Sequence, residues 1–128
     1  MGLFSRKQST AKFPWIPLET ETEMESVIEQ SLTRPVLLFK HSTRCSISSM
    51  ALSRFENHWD TTIDCQCYFL DLITFRSVSN YVAEKTGVVH QSPQCILMFK
   101  GKVIHHSSHN GIDAAEIASL LNNTNSNE

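Results

Sequence analysis

The run Val36-Leu37-Leu38-Phe39 constrains this chain more than any other feature. Pro35 ends whatever helix precedes it, and a strand with no apolar–polar alternation is buried on both faces. Such a strand needs helices above and below the sheet that holds it. The rest of the chain supplies them. Trp15–Leu18 reads as a short strand. Thr20–Leu32 carries Met24, Val27, Ile28 and Leu32 at helical spacing, with Glu19, Glu21 and Glu23 at the end the helix dipole favours. A second helix begins near Cys45 and carries Ile47, Ala51, Phe55 and Trp59 in an i,i+4 stripe. Cys67–Leu72 reads as a strand, and Val78, Tyr81 and Val82 mark a third helix closed by Gly87. Gln94–Lys100 and Val103–His106 read as strands joined tightly across Lys100-Gly101-Lys102. Ala114, Ile117, Ala118 and Leu121 define a last helix.

The order (β)αβαβαββα places the chain in the α/β class, with a mixed central sheet flanked by helices on both faces. Strands separated by helices are expected to run parallel through right-handed crossovers, and the final pair to be antiparallel. One domain is expected over residues 14–121, between a loose N-terminal segment, 1–13, and a loose tail, 122–128.

Composition narrows the function. The 128 residues suffice for one core, with 41% hydrophobic and 19% charged residues. A net charge of −2 without a basic stripe argues against nucleic acid as partner. No apolar run approaches the ~18 residues that cross a bilayer, so no membrane role is expected. Residues 1–12 hold only Leu3 and Phe4 as large apolar groups, which does not make a secretory signal. The expected location is the cytoplasm, and the expected state a monomer. In a reducing compartment the four cysteines, at 45, 65, 67 and 95, are core filler, metal ligands or reactive thiols rather than a disulfide framework. They include no C-x-x-C pair, and no bound metal is expected.

Cys45 is the cysteine with a distinct setting. Strand Val36–Phe39 delivers the chain to His41-Ser42-Thr43-Arg44-Cys45-Ser46-Ile47-Ser48, where a helix starts. A thiol in a first helical turn faces unpaired N–H groups and the positive end of the dipole, both of which favour thiolate, and Arg44 adds charge if it turns inward. For a thiol in general, lowering the pKa from ~8.5 to ~6.5 raises the thiolate fraction at pH 7 about 25-fold. Nucleophilicity falls about tenfold over the same change, so attack gains only about two- to threefold. The larger benefit is to the thiol as a leaving group. Such a group suits picking up a cargo and releasing it. Ser48 stands where a dithiol site keeps its resolving cysteine; its hydroxyl can hydrogen-bond a thiolate but cannot form a disulfide. Turnover then needs an external thiol, or Cys65, Cys67 or Cys95 if one lies close.

Cys45 at the helix start, Gly87-Val88-Val89-His90-Gln91-Ser92-Pro93 and the strand pair around Gly101 together resemble the thioredoxin fold over residues 15–121. The resemblance implies a cis Ser92–Pro93 bond, with Pro93 facing the cysteine. Within that fold, Phe39–Glu56 (FKHSTRCSISSMALSRFE) resembles the YtxJ-like monothiol bacilliredoxins, small bacterial proteins with a T-x-C-P-I-S site. Thr43, Cys45, Ile47 and Ser48 match, and Ser46 replaces the usual proline. The family implies reduction of mixed disulfides between proteins and bacillithiol, a small cysteine-containing thiol. S-thiolated proteins are then the partners, bacillithiol or another low-molecular-weight thiol is a co-substrate, and no cofactor stays bound.

The other residues read more plainly. Cys65 and Cys67 are expected as core filler, as is Cys95, whose alternative is a secondary thiol. His105 and His106 are adjacent on a strand and so face opposite ways, which argues against a metal site with His109. His41 is expected at a solvent-facing strand end, and Trp15, Phe55 and Trp59 in packing roles. The competing function is a non-catalytic module of the same fold that holds a protein partner or an iron–sulfur cluster around Cys45 and Pro93.

Overall fold

The computed structural model describes residues 13–126. Five strands form one sheet: β1 (Ile16–Pro17), β2 (Val36–His41), β3 (Gln66–Asp71), β4 (Gln94–Phe99) and β5 (Lys102–Ser108), in the spatial order β1-β3-β2-β4-β5. The helices are α1 (Glu21–Gln30), α2 (Ser46–His58), α3 (Arg76–Thr86) and α4 (Ala114–Ser126), with a 3-10 turn at His109–Gly111. The backbone of 122–126 is helical, where composition suggested a loose tail. The expected loose segment 1–13 falls outside the described residues except for Phe13, which packs 4.4 Å from the Trp15 ring.

β2 occupies the centre of the sheet, as its unbroken apolar run requires. Side chains alternate across it. Val36 and Leu38 meet Met24 and Val27 of α1 and Val78 and Val82 of α3 on one face. Leu37 and Phe39 meet Ala51 and Phe55 of α2 and Ile117 and Leu121 of α4 on the other. Trp15 stacks on Phe55 at 5.8 Å, and its indole N–H donates to Glu56 Oε2 at 2.6 Å. α1 starts on a capping box, in which Thr20 Oγ1 accepts from the Glu23 N–H and the Glu23 carboxylate accepts from the Thr20 N–H.

One expectation fails. β3 runs parallel to β2, but β4, also reached through a helix, is antiparallel to β2. The registers show why: His41 pairs with Asp71 at the end of β3, and Lys40 with Gln94 at the start of β4. The connection from β3 to β4 therefore begins and ends at one edge of the sheet. α3 leads away, Gly87 turns the chain with a φ of 75°, and residues 88–93 bring it back. A crossover needs the helix alone to carry the chain to the opposite edge, and here the returning loop undoes that. The β4–β5 hairpin closes on Lys100 and Gly101, at φ 57° and 80°, the two positive values of a type I′ turn.

Candidate active site

The edge of the sheet where β2 ends and β4 begins gathers the candidate residues. Cys45 is the N-cap of α2, half-buried, with extended backbone at φ −119° and ψ 120°. Its N–H donates to the Ser42 carbonyl at 3.2 Å, and its own carbonyl accepts from Ser49 at 3.1 Å. The thiol occupies the place where a capping oxygen would sit, yet it makes no capping hydrogen bond. Thr43, Arg44, Ser46 and Ile47 are exposed around it. α2 begins at Ser46 without the proline that pre-sets a first helical turn.

Ser48 is fully buried. Its hydroxyl oxygen accepts from the Ser42 N–H at 3.0 Å and lies 2.8 Å from His41 Nδ1. A bond to the Cys45 sulfur, which a hydroxyl here could make, is not among its contacts: Ser48 ties the helix to the strand end instead. His41 corrects its expectation too. It is 6% exposed, with its ring 5.4 Å from Phe69. Burial pushes its pKa below the usual histidine value, while Asp71 and Glu56 pull the other way. With the ring neutral and Nδ1 the acceptor, the Ser48 O–H donates to it, which uses the hydroxyl's one donor.

Lys40 escaped the sequence reading, in which the strand ended at Phe39. It is fully buried on the α1/α3 face. Its ammonium donates to the Ser79 carbonyl at 3.1 Å and to His90 Nδ1 at 3.2 Å. An ammonium can only donate, so His90 Nδ1 accepts and its proton sits on Nε2. Burial lowers the Lys40 pKa to about 8. Burial first, then Lys40 and Arg76, lower that of His90. A signal was available: Lys40 continues the parity of Val36 and Leu38, which marks a lysine aimed into a core.

The Ser92–Pro93 peptide is cis, and Pro93 is buried. Its register beside the end of β2 puts it at the same sheet edge as Cys45. Three contacts hold its loop. Gln94 Nε2 donates to the Val89 carbonyl at 2.9 Å, Lys40 reaches His90, and the His109 N–H donates to the Pro93 carbonyl at 3.1 Å. Gln94 Oε1 and Ser92 Oγ are buried and make no hydrogen bond among the described residues.

The other thiols lie apart from this edge. Cys67 is level with Leu37, four residues of strand below His41, a separation of about 13 Å along the sheet. Cys65 precedes it, so neither reaches Cys45 in the folded chain. The neighbouring Cys67 thiol and burial hold the Cys65 thiol above its ordinary pKa. Cys95 pairs with Phe39 and is 1% exposed in the core under α2, and burial pushes its pKa well up. His105 turns toward Glu116 of α4 at 3.9 Å, while His106 is exposed.

Solved thioredoxins share this architecture. That of Schistosoma mansoni is 17% identical with a TM-score of 0.64, covering 85% of this chain and 94% of its own. Mitochondrial thioredoxin 3 of Saccharomyces cerevisiae is 16% identical with a TM-score of 0.63, covering 85% and 94%. A structure described as a candidate oxidoreductase with a thioredoxin fold is 32% identical with a TM-score of 0.71, covering 81% and 90%. Fold and likeness together define a thioredoxin-fold thiol oxidoreductase. Residues 16–117 match the model of the monothiol bacilliredoxin BrxC, and the chain belongs to that family. No helix among the described residues is long and apolar enough to cross a membrane.

Proposed function

We propose that this protein is a monothiol carrier that removes bacillithiol from mixed disulfides on other proteins, with Cys45 as its nucleophile. The observation that carries the reading is the contrast among its thiols. Cys45 opens a helix at the sheet edge, half-exposed and free of a capping bond, whereas Cys67 and Cys95 are core residues. Ser48, at the resolving position, is buried and bonded to His41 and Ser42, and it offers no second thiol.

The chemistry takes two exchanges. The Cys45 thiolate attacks the bacillithiol sulfur of the mixed disulfide. The bond to the protein sulfur breaks, and its electron pair leaves on the protein thiolate, which takes a proton from water. Cys45 then carries bacillithiol as a disulfide. A second bacillithiol thiolate attacks the sulfur of the first, forming the symmetric small disulfide and releasing Cys45 as thiolate. The second small thiol is the reductant, and no bound cofactor is needed. The reading assigns Pro93 to the groove that receives the mixed disulfide, and the protein to a reducing compartment in which free thiols persist.

The test is to incubate the reduced protein with equal amounts of a bacillithiolated and a glutathionylated test protein and to record its intact mass. The expected gain is one bacillithiol, absent in Cys45→Ser. A gain of glutathione would keep the chemistry and overturn the choice of thiol. No gain of either would overturn the carrier reading in favour of a non-catalytic binding module.

A further inference from the structure

Two recesses meet along the outer side of α2. One, of about 240 Å³, is lined by Ile47, Met50, Arg54, His109 and Asn110. The other, of about 250 Å³, continues past Arg54 and Asn110 toward His58 and Asp113. Each alone falls short of the ~300 Å³ at which small-molecule pockets begin, and joined they reach it. The groove starts two residues past the nucleophile, at Ile47. Ile47 and Met50 lie in the first two turns of the helix that Cys45 opens. His109, on the opposite wall, is hydrogen-bonded to the carbonyl of Pro93.

The walls differ in chemistry. Ile47 and Met50 form an apolar side, 54% and 66% exposed. The facing side holds Arg54, whose Nη2 donates to the His109 carbonyl at 3.5 Å. Among the described residues no carboxylate lies within ion-pair distance of Arg54 or Arg44. The one acid of the groove among the described residues, Asp113, lies in the far recess and is held by backbone N–H groups, and the other nearby acids face elsewhere. Asp113 Oδ1 accepts from the N–H groups of Ala115 and Glu116 at the start of α4, at 3.0 and 3.3 Å. Glu56 accepts from the Trp15 indole, and Asp71 accepts from Ile73 and Thr74. A chain of net charge −2 thus keeps a guanidinium without an ion-pair partner in a groove along the helix its reactive thiol opens, nine residues or about 13 Å from that thiol.

We propose that this groove holds the carboxylate-bearing end of the small thiol carried on Cys45, with Arg54 as its counter-ion. The inference rests on the carrier reading and adds the part of the cargo that is recognised. Ile47 and Met50 cover the stem nearest the sulfur, and the side chains of His109 and Asn110 add hydrogen-bonding groups around the carboxylate. Small thiols that bear carboxylates are selected over neutral and cationic ones.

The test measures the rate of mixed-disulfide formation at Cys45 with glutathione disulfide, which is anionic, 2-hydroxyethyl disulfide, which is neutral, and cystamine, which is cationic. The wild type is expected to prefer them in that order. Arg54→Gln should cut the anionic-to-neutral ratio about fivefold, the size of a half-exposed ion pair, and Arg54→Lys should restore most of it. Lys85→Gln makes the same change in net charge on α3, where Lys85 pairs with Glu25 at 3.5 Å, and should leave the ratio as it is. An unchanged ratio in Arg54→Gln, or an equal fall in Lys85→Gln, overturns the groove assignment and leaves the carrier reading standing. Failure of the wild type to react with all three, while it still takes bacillithiol from a bacillithiolated protein, overturns the groove assignment alone; failure with bacillithiol as well overturns the carrier reading, and this proposal with it.

Discussion

Replacing Lys40 with methionine is expected to stabilise the fold at pH 7 by about 2 kcal/mol. The ammonium is fully buried, and its pKa falls from 10.5 to about 8. At 1.36 kcal/mol per pKa unit, holding the charge inside the fold costs about 3 kcal/mol relative to the neutral amine. Methionine has nearly the same length and no charge. It gives up the contacts to Ser79 and His90, worth about 1 kcal/mol for a neutral amine. Neither partner is stranded: the Ser79 hydroxyl lies 3.3 Å from the same His90 nitrogen and can replace the donor, and the Ser79 carbonyl lies inside α3, where the helix supplies its own N–H. About 2 kcal/mol raises the Tm of a domain this size by roughly 6–10 °C.

The pH dependence separates this account from simple repacking. The Lys40 pKa is lower in the fold than in the unfolded chain, so between pH 8 and 10.5 the unfolded chain holds the extra proton. Stability from this group therefore rises with pH across that window, by about 2 kcal/mol at pH 9.5. Urea unfolding of both proteins at pH 7 and pH 9.5 measures it, and groups common to both cancel in the difference. The advantage of the methionine variant should nearly vanish at pH 9.5. A variant less stable than wild type at pH 7, or an advantage that persists at pH 9.5, would refute the reasoning.

Two further outcomes follow from the geometry. Ser48→Ala should cost about 1–3 kcal/mol in urea unfolding, because it strands the buried Ser42 N–H and His41 Nδ1; a cost below 0.5 kcal/mol would mean that other partners satisfy them. Iodoacetamide should modify one thiol quickly in the native protein and all four in urea, with peptide mapping placing the fast one at Cys45; rapid labelling of Cys65 or Cys95 would contradict the raised pKa values set by the Cys67 thiol and burial for the first and by burial for the second.

Much of the fold was legible because its strongest signals are local. The apolar run at Val36–Phe39, Ala51 and Phe55 on α2 and the αL glycine at Gly87 are each set by a few neighbouring residues, and each stands where the pattern put it; Ile47, read on the same stripe, is exposed, and Trp59 packs from just past the helix end. Cys45 was legible for the same reason, since its value lies in the strand end and helix start on either side of it. The direction of β4 was not, because it depends on how far residues 88–93 travel back, and a loop's path carries no periodicity. Lys40 went unread and His41 was misjudged because polarity along the chain signals exposure on average. Their burial is decided by partners distant in sequence: Ser79 and His90 for one, Phe69 and Asp71 for the other. Sequence by itself determined the layers, most of the core stripes (Leu32 and Ile47 are exposed) and the thiol that opens α2. Only the tertiary structure decided which polar groups close around that edge, because hydrogen bonds and desolvation depend on distances through space that the order of residues does not contain.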